Sequence, residues 1–417
     1  MKFTTPSLKE TFIILLGSNI QKMDKKLKEF IIGAVILSLA TIAGYLIAPI
    51  EVRFLNTLTN NPTLIGLTYA IGSILFGLFS IWLGRLSDKF GRNRFIIIGC
   101  ILGIIYPLLY ASTYNIYQYM GIKFVWAFAS VTTGPIFMAY LQDLMTHIKK
   151  QGQYIGIVFS LQSIFGAIAS FFGGYLSDKY SFIIPYILMS VIFALATVIA
   201  LYELRFKKTP KIEQSESKGI FFGVKYIFKK PALIFYFINN SAFGINWGIK
   251  GMLWPQIIFA MVGKDTITGS VFATMGIVAF VLLLFIGKLV DKIGPFKSAF
   301  ISMIILGLSG LILGLTNNII LFWIAAGVFA IGEAINGPMQ AVLLTNHVEN
   351  KHRGELLGLD SVFDKILNTI APFFAGFLLN YFTAQNILLI FVSFFWLSIF
   401  CSFLVYKFRI SSNGSAP

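Results

Sequence analysis

Six ionisable side chains lie inside long apolar stretches of this sequence. They are Lys123, Lys250, Glu333, Asp360, Asp364 and Lys365. Placing a charged side chain in the hydrocarbon of a bilayer costs at least about 2.5–3.5 kcal/mol on insertion scales, so such residues usually face a water-filled cavity or an opposite charge. A carboxylate in that setting can take up and release a proton, and a lysine can hold an anion. These six residues are therefore the first candidates for a functional site.

Three of the carboxylates are predicted proton-coupling residues. Glu333 is the first choice, because it lies about 15 residues into its apolar run and hence near the middle. Asp360 and Asp364 are spaced i, i+4, so they share one face of a helix, where each opposes the ionisation of the other. Lys365 or Lys250 could neutralise them, and a buried Asp364–Lys365 pair could equally serve only to fix helix packing.

A polar stretch around Lys250 predicts a place for a solute. Asn240, Asn246 and Trp247 precede this lysine, and such a combination suits binding as well as a helix break. Together with Lys123 they are the predicted cavity and substrate residues. The alternative is that the asparagines form hydrogen bonds between helices and the tryptophan anchors the chain at the membrane interface.

The remaining polar residues indicate no further chemistry. Glu51 and Arg53 fall near the outer end of an apolar run, where charge costs little, and we expect them to form a solvated rim. The three histidines and two cysteines lack the spacing of metal ligands, of a catalytic set or of a disulfide framework. We also find no phosphate-binding loop for ATP. No cofactor, metal or enzymatic activity is expected.

The elements that must position these residues are long apolar segments. Of the 417 residues, 57% are hydrophobic and 12% are charged, with a mean hydropathy of +0.81, which excludes an ordinary soluble domain. About 20 apolar residues cross ~30 Å of hydrocarbon as a helix, whereas barrel strands alternate over about 10 residues. We predict an all-α integral membrane protein with twelve transmembrane helices. Their apolar runs lie near 30–50, 62–84, 95–112, 116–141, 154–176, 181–202, 232–261, 267–288, 298–316, 318–345, 353–380 and 385–406.

The basic residues that give the net charge of +16 are unevenly distributed between the two ends of the predicted spans. Most of the 33 lysine and arginine residues fall in connections on one side of the predicted spans. The exceptions are Arg53, Lys179 and Lys264 on the other side and Lys123, Lys250 and Lys365 within the spans. This asymmetry predicts that both termini are cytoplasmic. It also indicates attraction to anionic lipid rather than nucleic-acid binding.

The chain is internally duplicated. The stretch from Gly84 to Gly91 recurs as Gly287 to Gly294, and Gly134-Pro135 recurs as Gly337-Pro338. We predict two six-helix bundles, 30–202 and 232–406, joined by a charged cytoplasmic linker at 203–231 and flanked by cytoplasmic segments 1–29 and 407–417. Parallel repeats of six spans are one architecture of secondary transporters.

The connection Gly84-Arg85-Leu86-Ser87-Asp88-Lys89-Phe90-Gly91-Arg92-Asn93-Arg94 is the most specific motif. Its glycines allow a tight reversal, and its carboxylate can face a helix N-terminus or an arginine. With twelve spans and a basic central linker, it resembles the signature of the major facilitator superfamily (MFS). That resemblance implies a cavity between two pseudo-symmetric bundles, lined mainly by the first and fourth helices of each and open alternately to either side.

The resemblance also implies a conformational latch. In the family the loop stabilises the outward-facing state through contacts with the other half, a role that Arg85, Asp88 and Arg92 would inherit with their flanking glycines. Asp291 is a weaker candidate, because Pro295 replaces Arg92 in the second copy.

Two departures from the family pattern bear on mechanism. Lys123 stands where the family usually has arginine, and a lysine can lose its proton when it is desolvated. Ala169-Ser170 stands where antiporters often show Gly-Pro, which weakens the assignment as an exporter, although Pro372 could distort the equivalent helix of the second half.

The sequence thus predicts a multi-pass secondary transporter of the cell membrane that moves a small solute by alternating access. We expect proton coupling, efflux of a drug or metabolite, contact with membrane lipids and a monomeric state. The alternatives within transport are uptake, movement of a lipid or organic anion, and uniport. The alternative of another class is a membrane solute sensor that binds without flux.

Overall fold

A computed structural model of the chain describes residues 25–145, 151–204, 220–283, 285–348 and 350–410. Within these ranges every regular element is a helix, so the all-α prediction is confirmed there. Residues 1–24, 205–219 and 411–417, which include much of the predicted N-terminal segment, linker and tail, lie outside the described residues.

The helices of the first half run from residue 25 to residue 204. They are α1 (Lys25–Ile47), α2 (Glu51–Leu58), α3 (Pro62–Phe90), α4 (Arg92–Ala111), α5 (Ile116–Thr133), α6 (Pro135–Met145), α7 (Gln151–Lys179) and α8 (Ile183–Leu204). Those of the second half are α9 (Ile220–Lys229), α10 (Pro231–Val262), α11 (Asp265–Leu283), α12 (Ile286–Ile293), α13 (Pro295–Leu315), α14 (Ile319–His347), α15 (Asn350–Leu378) and α16 (Ala384–Val405), followed by a π-helical turn at Tyr406–Ile410.

Local sequence explains where these helices begin and reverse. Asn61 accepts a hydrogen bond from the Thr63 amide at the start of α3, and Asn318 caps α14 in the same way. Gly91 and Gly294 have φ angles of 95° and 89° between α3 and α4 and between α12 and α13. Other residues rarely adopt this conformation, which is why the repeated motif ends in glycine.

Ten helices among the described residues are long and apolar enough to cross a membrane. The predicted number was twelve. The difference lies in α10 and α15, which occupy the seventh and eleventh predicted spans and carry many of the polar and charged residues singled out above. Because of this polar and charged content, neither helix is among the ten, so the twelve-span count remains a prediction.

The two halves are joined at one end of the bundle, which we call the closed end. Gly66 of α3 packs against the backbone of Pro372 and Gly376 in α15, and Gly174 of α7 packs against the backbone of Asp265 in α11. Small residues allow helix backbones to approach this closely. One large cluster of buried apolar side chains runs through both halves at this end.

At the opposite end the cores of the two halves are separate. One buried apolar cluster belongs to the first half and another to the second. Apart from the adjoining backbone of the same helix, no described atom lies within 4 Å of the position that a Cβ would take at Gly84 or Gly287, in the two copies of the repeated motif. The halves therefore meet at the closed end and part toward the repeated motif.

Candidate functional site

Lys250 and Glu333 form an ion pair in the second half. The Lys250 Nζ lies 2.6 Å from the Glu333 Oε1, and the side chains are 10% and 17% exposed. The same ammonium group lies 4.1 Å from the ring centroid of Trp247. The sequence suggested Lys365 or Lys250 as a partner for Asp360 or Asp364; Lys365 does lie beside Asp364, whereas α10 and α14 place Lys250 against Glu333.

A cavity of about 410 Å³ borders this pair and is lined by both halves. The first half contributes Tyr45 from α1 and Gly166 from α7, and the second half contributes Phe243 and Trp247 from α10 and Phe272 from α11. The rings of Phe243 and Trp247 are stacked, with centroids 6.1 Å apart. A largely apolar cavity with a few convergent polar groups is typical of small-molecule sites, and this volume lies within their range.

A second ion pair lies in the first half. The Lys123 Nζ is 2.6 Å from the Glu51 Oε1, and the same oxygen accepts a hydrogen bond from the Tyr119 hydroxyl at 2.8 Å. The Lys123 side chain is 4% exposed. The prediction that Glu51 belongs to a solvated rim was therefore wrong. The chain turns after α1, and the short helix α2 directs this carboxylate into a cavity of about 330 Å³.

The two pairs join corresponding regions of the two halves, although their residues are not equivalent in the internal repeat. The first joins α2, which follows the first span, to α5 in the fourth, and the second joins α10 in the seventh span to α14 in the tenth. In the first half the lysine lies on the fourth span, whereas in the second half the glutamate lies on the equivalent tenth span. Each half thus carries one largely buried ion pair on, or directly after, the helices that the family resemblance assigned to the cavity.

The other polar residues of the second half lie in separate contacts. Asp360 accepts a hydrogen bond from the Asn240 amide at 2.7 Å, and Asn240 accepts one from Gln340 at 2.7 Å, which links α15, α10 and α14. Asp364 is paired with the adjacent Lys365 at 3.2 Å.

Asn246 does not face the cavity. Its side chain is buried and donates hydrogen bonds to the backbone oxygens of Ala242 at 3.0 Å and Phe391 at 3.3 Å. Its predicted substrate role is thus replaced by the alternative, a contact between α10 and α16. The neighbouring Trp247, by contrast, lines the cavity.

The predicted latch makes its contacts within the first half in this conformation. Arg92 lies 3.1 Å from Asp88 and 3.1 Å from Asp143 of α6. Arg85 and Asp291 are exposed, and Gly84 borders open space. Asp143 was not predicted, because nothing in the motif itself identifies it.

A polar cluster at the closed end was also missed. Arg53 lies 3.5 Å from the Asp265 carboxylate and stacks on Phe259 at 3.2 Å, so it is not a solvated rim residue either. Asp178 of α7 accepts hydrogen bonds from the backbone amides of Asp265 at 2.9 Å and Thr266 at 2.7 Å, at the start of α11. The sequence contains one signal that could have identified Asp178: Leu176-Ser177-Asp178-Lys179 repeats Leu86-Ser87-Asp88-Lys89 of the motif.

Solved structures with a similar fold are transporters. The nucleoside transporter NupG aligns with a TM-score of 0.74 and 14% identity over 91% of this chain and 100% of that one. A bacterial homologue of the human lysosomal transporter Spinster, solved in an inward-facing and unoccupied conformation, aligns with a TM-score of 0.74 and 14% identity over 92% and 98% of the two chains. At this identity the likeness establishes the fold alone.

Sequence relatives extend over most of the chain. An uncharacterized MFS-type transporter of Methanocaldococcus jannaschii is 24% identical over 75% of this chain and 81% of its own length. The class H tetracycline resistance protein of Pasteurella multocida is 24% identical over 85% and 90%, and multidrug resistance protein 2 of Bacillus subtilis is 22% identical over 80% and 84%. The family model of the Major Facilitator Superfamily matches residues 33–261 and 237–416. The chain therefore belongs to the Major Facilitator Superfamily and is a multi-pass membrane transporter, not an enzyme.

Proposed function

We propose that this protein moves a small amphipathic solute across the cell membrane by alternating access, in exchange for protons. The observation that carries the proposal is the Lys250–Glu333 pair, which borders a largely apolar cavity lined by both halves. The stacked rings of Phe243 and Trp247 offer a flat apolar surface beside it. Relatives named for tetracycline and multidrug resistance favour efflux as the direction.

The direction in which the cavity opens follows from the predicted orientation. With the basic connections and both termini in the cytoplasm, α10 and α15 are the seventh and eleventh of twelve spans, and the closed end faces outward. The solute then enters from the cytoplasm, between the separate cores of the two halves. Opening to the outside requires the contacts of the closed end to part and Asp88, Arg85 and Arg92 to engage the second half.

Glu333 is the proposed proton carrier. In its ionised form it neutralises Lys250 at 2.6 Å, and in its protonated form it leaves the ammonium group unpaired beside the cavity. An unbalanced charge is costly in a site of low dielectric constant. A solute and a proton that bind beside the same pair must therefore influence each other's affinity, and this is the thermodynamic requirement for coupling.

Transport by the purified protein in liposomes tests this proposal. We would impose inward and outward proton gradients and follow lumenal pH while adding lipophilic cations, organic anions and sugars. Proton movement that a solute triggers, and that Glu333→Gln abolishes, is the expected result. Glu203→Gln is the matched control, because this carboxylate lies near the end of α8 and lines neither the 330 Å³ nor the 410 Å³ cavity.

The other outcomes separate the alternatives. Solute flux that does not respond to the proton gradient would contradict the coupling and indicate a uniporter. Binding without flux would indicate a sensor. Transport of organic anions or lipids alone, monitored in the same liposomes, would favour the second candidate function, which is supported by the ammonium group of Lys250 beside Trp247. A monomer is expected throughout, since both halves of the cavity come from one chain.

A further inference from the structure

The ammonium group of Lys123 is enclosed by aromatic rings. Its Nζ lies 4.7 Å from the ring centroid of Trp126, 5.3 Å from Tyr119, 5.6 Å from Tyr69 and 5.8 Å from Tyr110. The Glu51 carboxylate completes the enclosure at 2.6 Å. We call these five side chains around Lys123 the aromatic box.

This arrangement has the chemistry of a site for an organic ammonium ion. Aromatic faces within about 6 Å attract a cation through the ring quadrupole, and several rings around one cation are the usual means of recognising alkylammonium ligands. A carboxylate supplies the opposite charge. In this conformation the lysine of the protein itself fills the position that a ligand ammonium group would take.

The surroundings leave room for such an exchange. The Lys123 stem passes beside Gly72 of α3, where a Cβ would lie only 3.3 Å from the lysine Cδ. The cavity of about 330 Å³ borders the box and is lined by Glu51 and Trp126. It is also lined by Tyr110, whose hydroxyl is buried and has no hydrogen-bond partner among the described residues. The cavity thus offers a ligand both volume and a free polar group.

We propose that this first-half cavity is a second ligand site beside the cavity between the halves, with which it shares the lining residue Ala48, and that it binds a small organic ammonium ion in exchange for the proton of Lys123. The lysine N–H bond releases its proton to solvent, the neutral amine turns away from Glu51, and the ligand ammonium group pairs with that carboxylate. The net charge of the box is the same before and after the exchange.

The charge balance explains why the proton must leave. Glu51 is the one carboxylate that the described residues place in the box, and two cations beside it would repel each other in a site of low dielectric constant. The titratable groups that face the lysine from the helices packed around it are, besides this carboxylate, all phenols, which are neutral near pH 7. They are Tyr69 of α3, Tyr106 and Tyr110 of α4, Tyr119 of α5 and, through its bond to Tyr119, Tyr186 of α8.

The site does not depend on the proposed transport cycle. Every residue of the aromatic box belongs to the first half, and the contact of the box with the second half is a long hydrogen bond of 3.5 Å from the Tyr69 hydroxyl to the Gly251 oxygen. Binding there can be measured without flux, and failure of the transport proposal would leave it standing.

The test uses the full chain in lipid nanodiscs, with tetramethylammonium and 2-phenylethylammonium as probes. The background variant is Lys250→Met/Glu333→Gln, which removes the other pair together and leaves no lone charge. Titration calorimetry in buffers with different ionisation enthalpies should show one proton released for each ammonium ion bound. The apparent Kd should then fall about tenfold for each unit of rise in pH.

Two further variants, made in the same background, make the test decisive. Lys123→Met should bind the probes more tightly, and at about pH 8–9, where the unpaired Glu51 is ionised, it should bind them without proton release and with a Kd that no longer changes with pH. Lys123→Met/Glu51→Gln, which leaves no unpaired charge and should fold, is expected to bind neither probe. Absence of binding to the background protein at pH 9, binding without proton release, or undiminished binding to the double variant would each overturn the proposal.

Discussion

Replacing Asp178 with alanine is expected to loosen the closed end of the bundle. Asp178 belongs to α7 of the first half, yet its carboxylate accepts hydrogen bonds from the Asp265 and Thr266 amides and from the Thr266 hydroxyl, at 2.9, 2.7 and 2.6 Å. These amides open α11 of the second half and have no partner within that helix. One carboxylate thus caps a helix of the opposite half, and the cap must break when this end opens.

The size of the effect follows from the value of a helix cap. Removal of a capping oxygen costs about 0.5–2 kcal/mol, and the negative charge at a helix N-terminus adds about 0.3–1 kcal/mol at an exposed site. Asp178 is exposed, so we take a total of about 1–2 kcal/mol. Because 1.4 kcal/mol is a factor of ten, the ratio of closed to open molecules should fall roughly 5- to 30-fold.

Distances between spin labels measure this ratio. Labels at Asn60 in the first half and Tyr381 in the second lie at the closed end on exposed residues, with Cys100 and Cys401 replaced by alanine. Pulsed electron paramagnetic resonance should show a larger population of long distances after Asp178→Ala.

The control is Asp88→Ala, which alters the same Leu-Ser-Asp-Lys sequence at the opposite end. Asp88 is 3.1 Å from Arg92 of its own half, so its loss should not open the closed end. Identical distance distributions in the native protein and Asp178→Ala would refute the capping argument. Equal opening by Asp88→Ala would show that the effect is not local to this cap.

Three further changes test packing and charge through the thermal unfolding of the purified protein. Lys250→Met should destabilise the protein by at most about 3–5 kcal/mol because it leaves the largely buried Glu333 unpaired, whereas Lys250→Met with Glu333→Gln should recover most of that loss; equal Tm values for both would contradict the pairing. Gly66→Ala should cost about 1–3 kcal/mol, since its Cβ would overlap a backbone oxygen of α15, while Gly84→Ala, in open space, should not lower Tm. Gly91→Ala should cost about 1–2 kcal/mol because its φ of 95° strains any other residue, and an unchanged Tm would show that the reversal adopts another conformation.

The sequence by itself determined the helices and the family. Apolar runs long enough to cross a bilayer must be helical, because the hydrocarbon offers no partner to an open backbone. The repeated motif between Gly84 and Gly91 located the two tight reversals, since a positive φ is a local requirement that only certain residues meet. It also gave the resemblance to the family whose model matches nearly the whole chain. The predicted spans with the most polar residues, α10 and α15, were the ones that composition alone supported least.

Only the tertiary structure decided which charges meet. Lys250 and Glu333 are 83 residues apart in the chain, and Lys123 and Glu51 are 72 apart. Their pairing depends on how each helix is rotated about its axis and on which helices are neighbours. Glu51 was assigned to the rim because distance along a span was taken as depth, whereas the turn before α2 directs its side chain inward. Hydropathy is a property of one segment, but an ion pair or a cap between helices is a property of packing, which no single segment encodes.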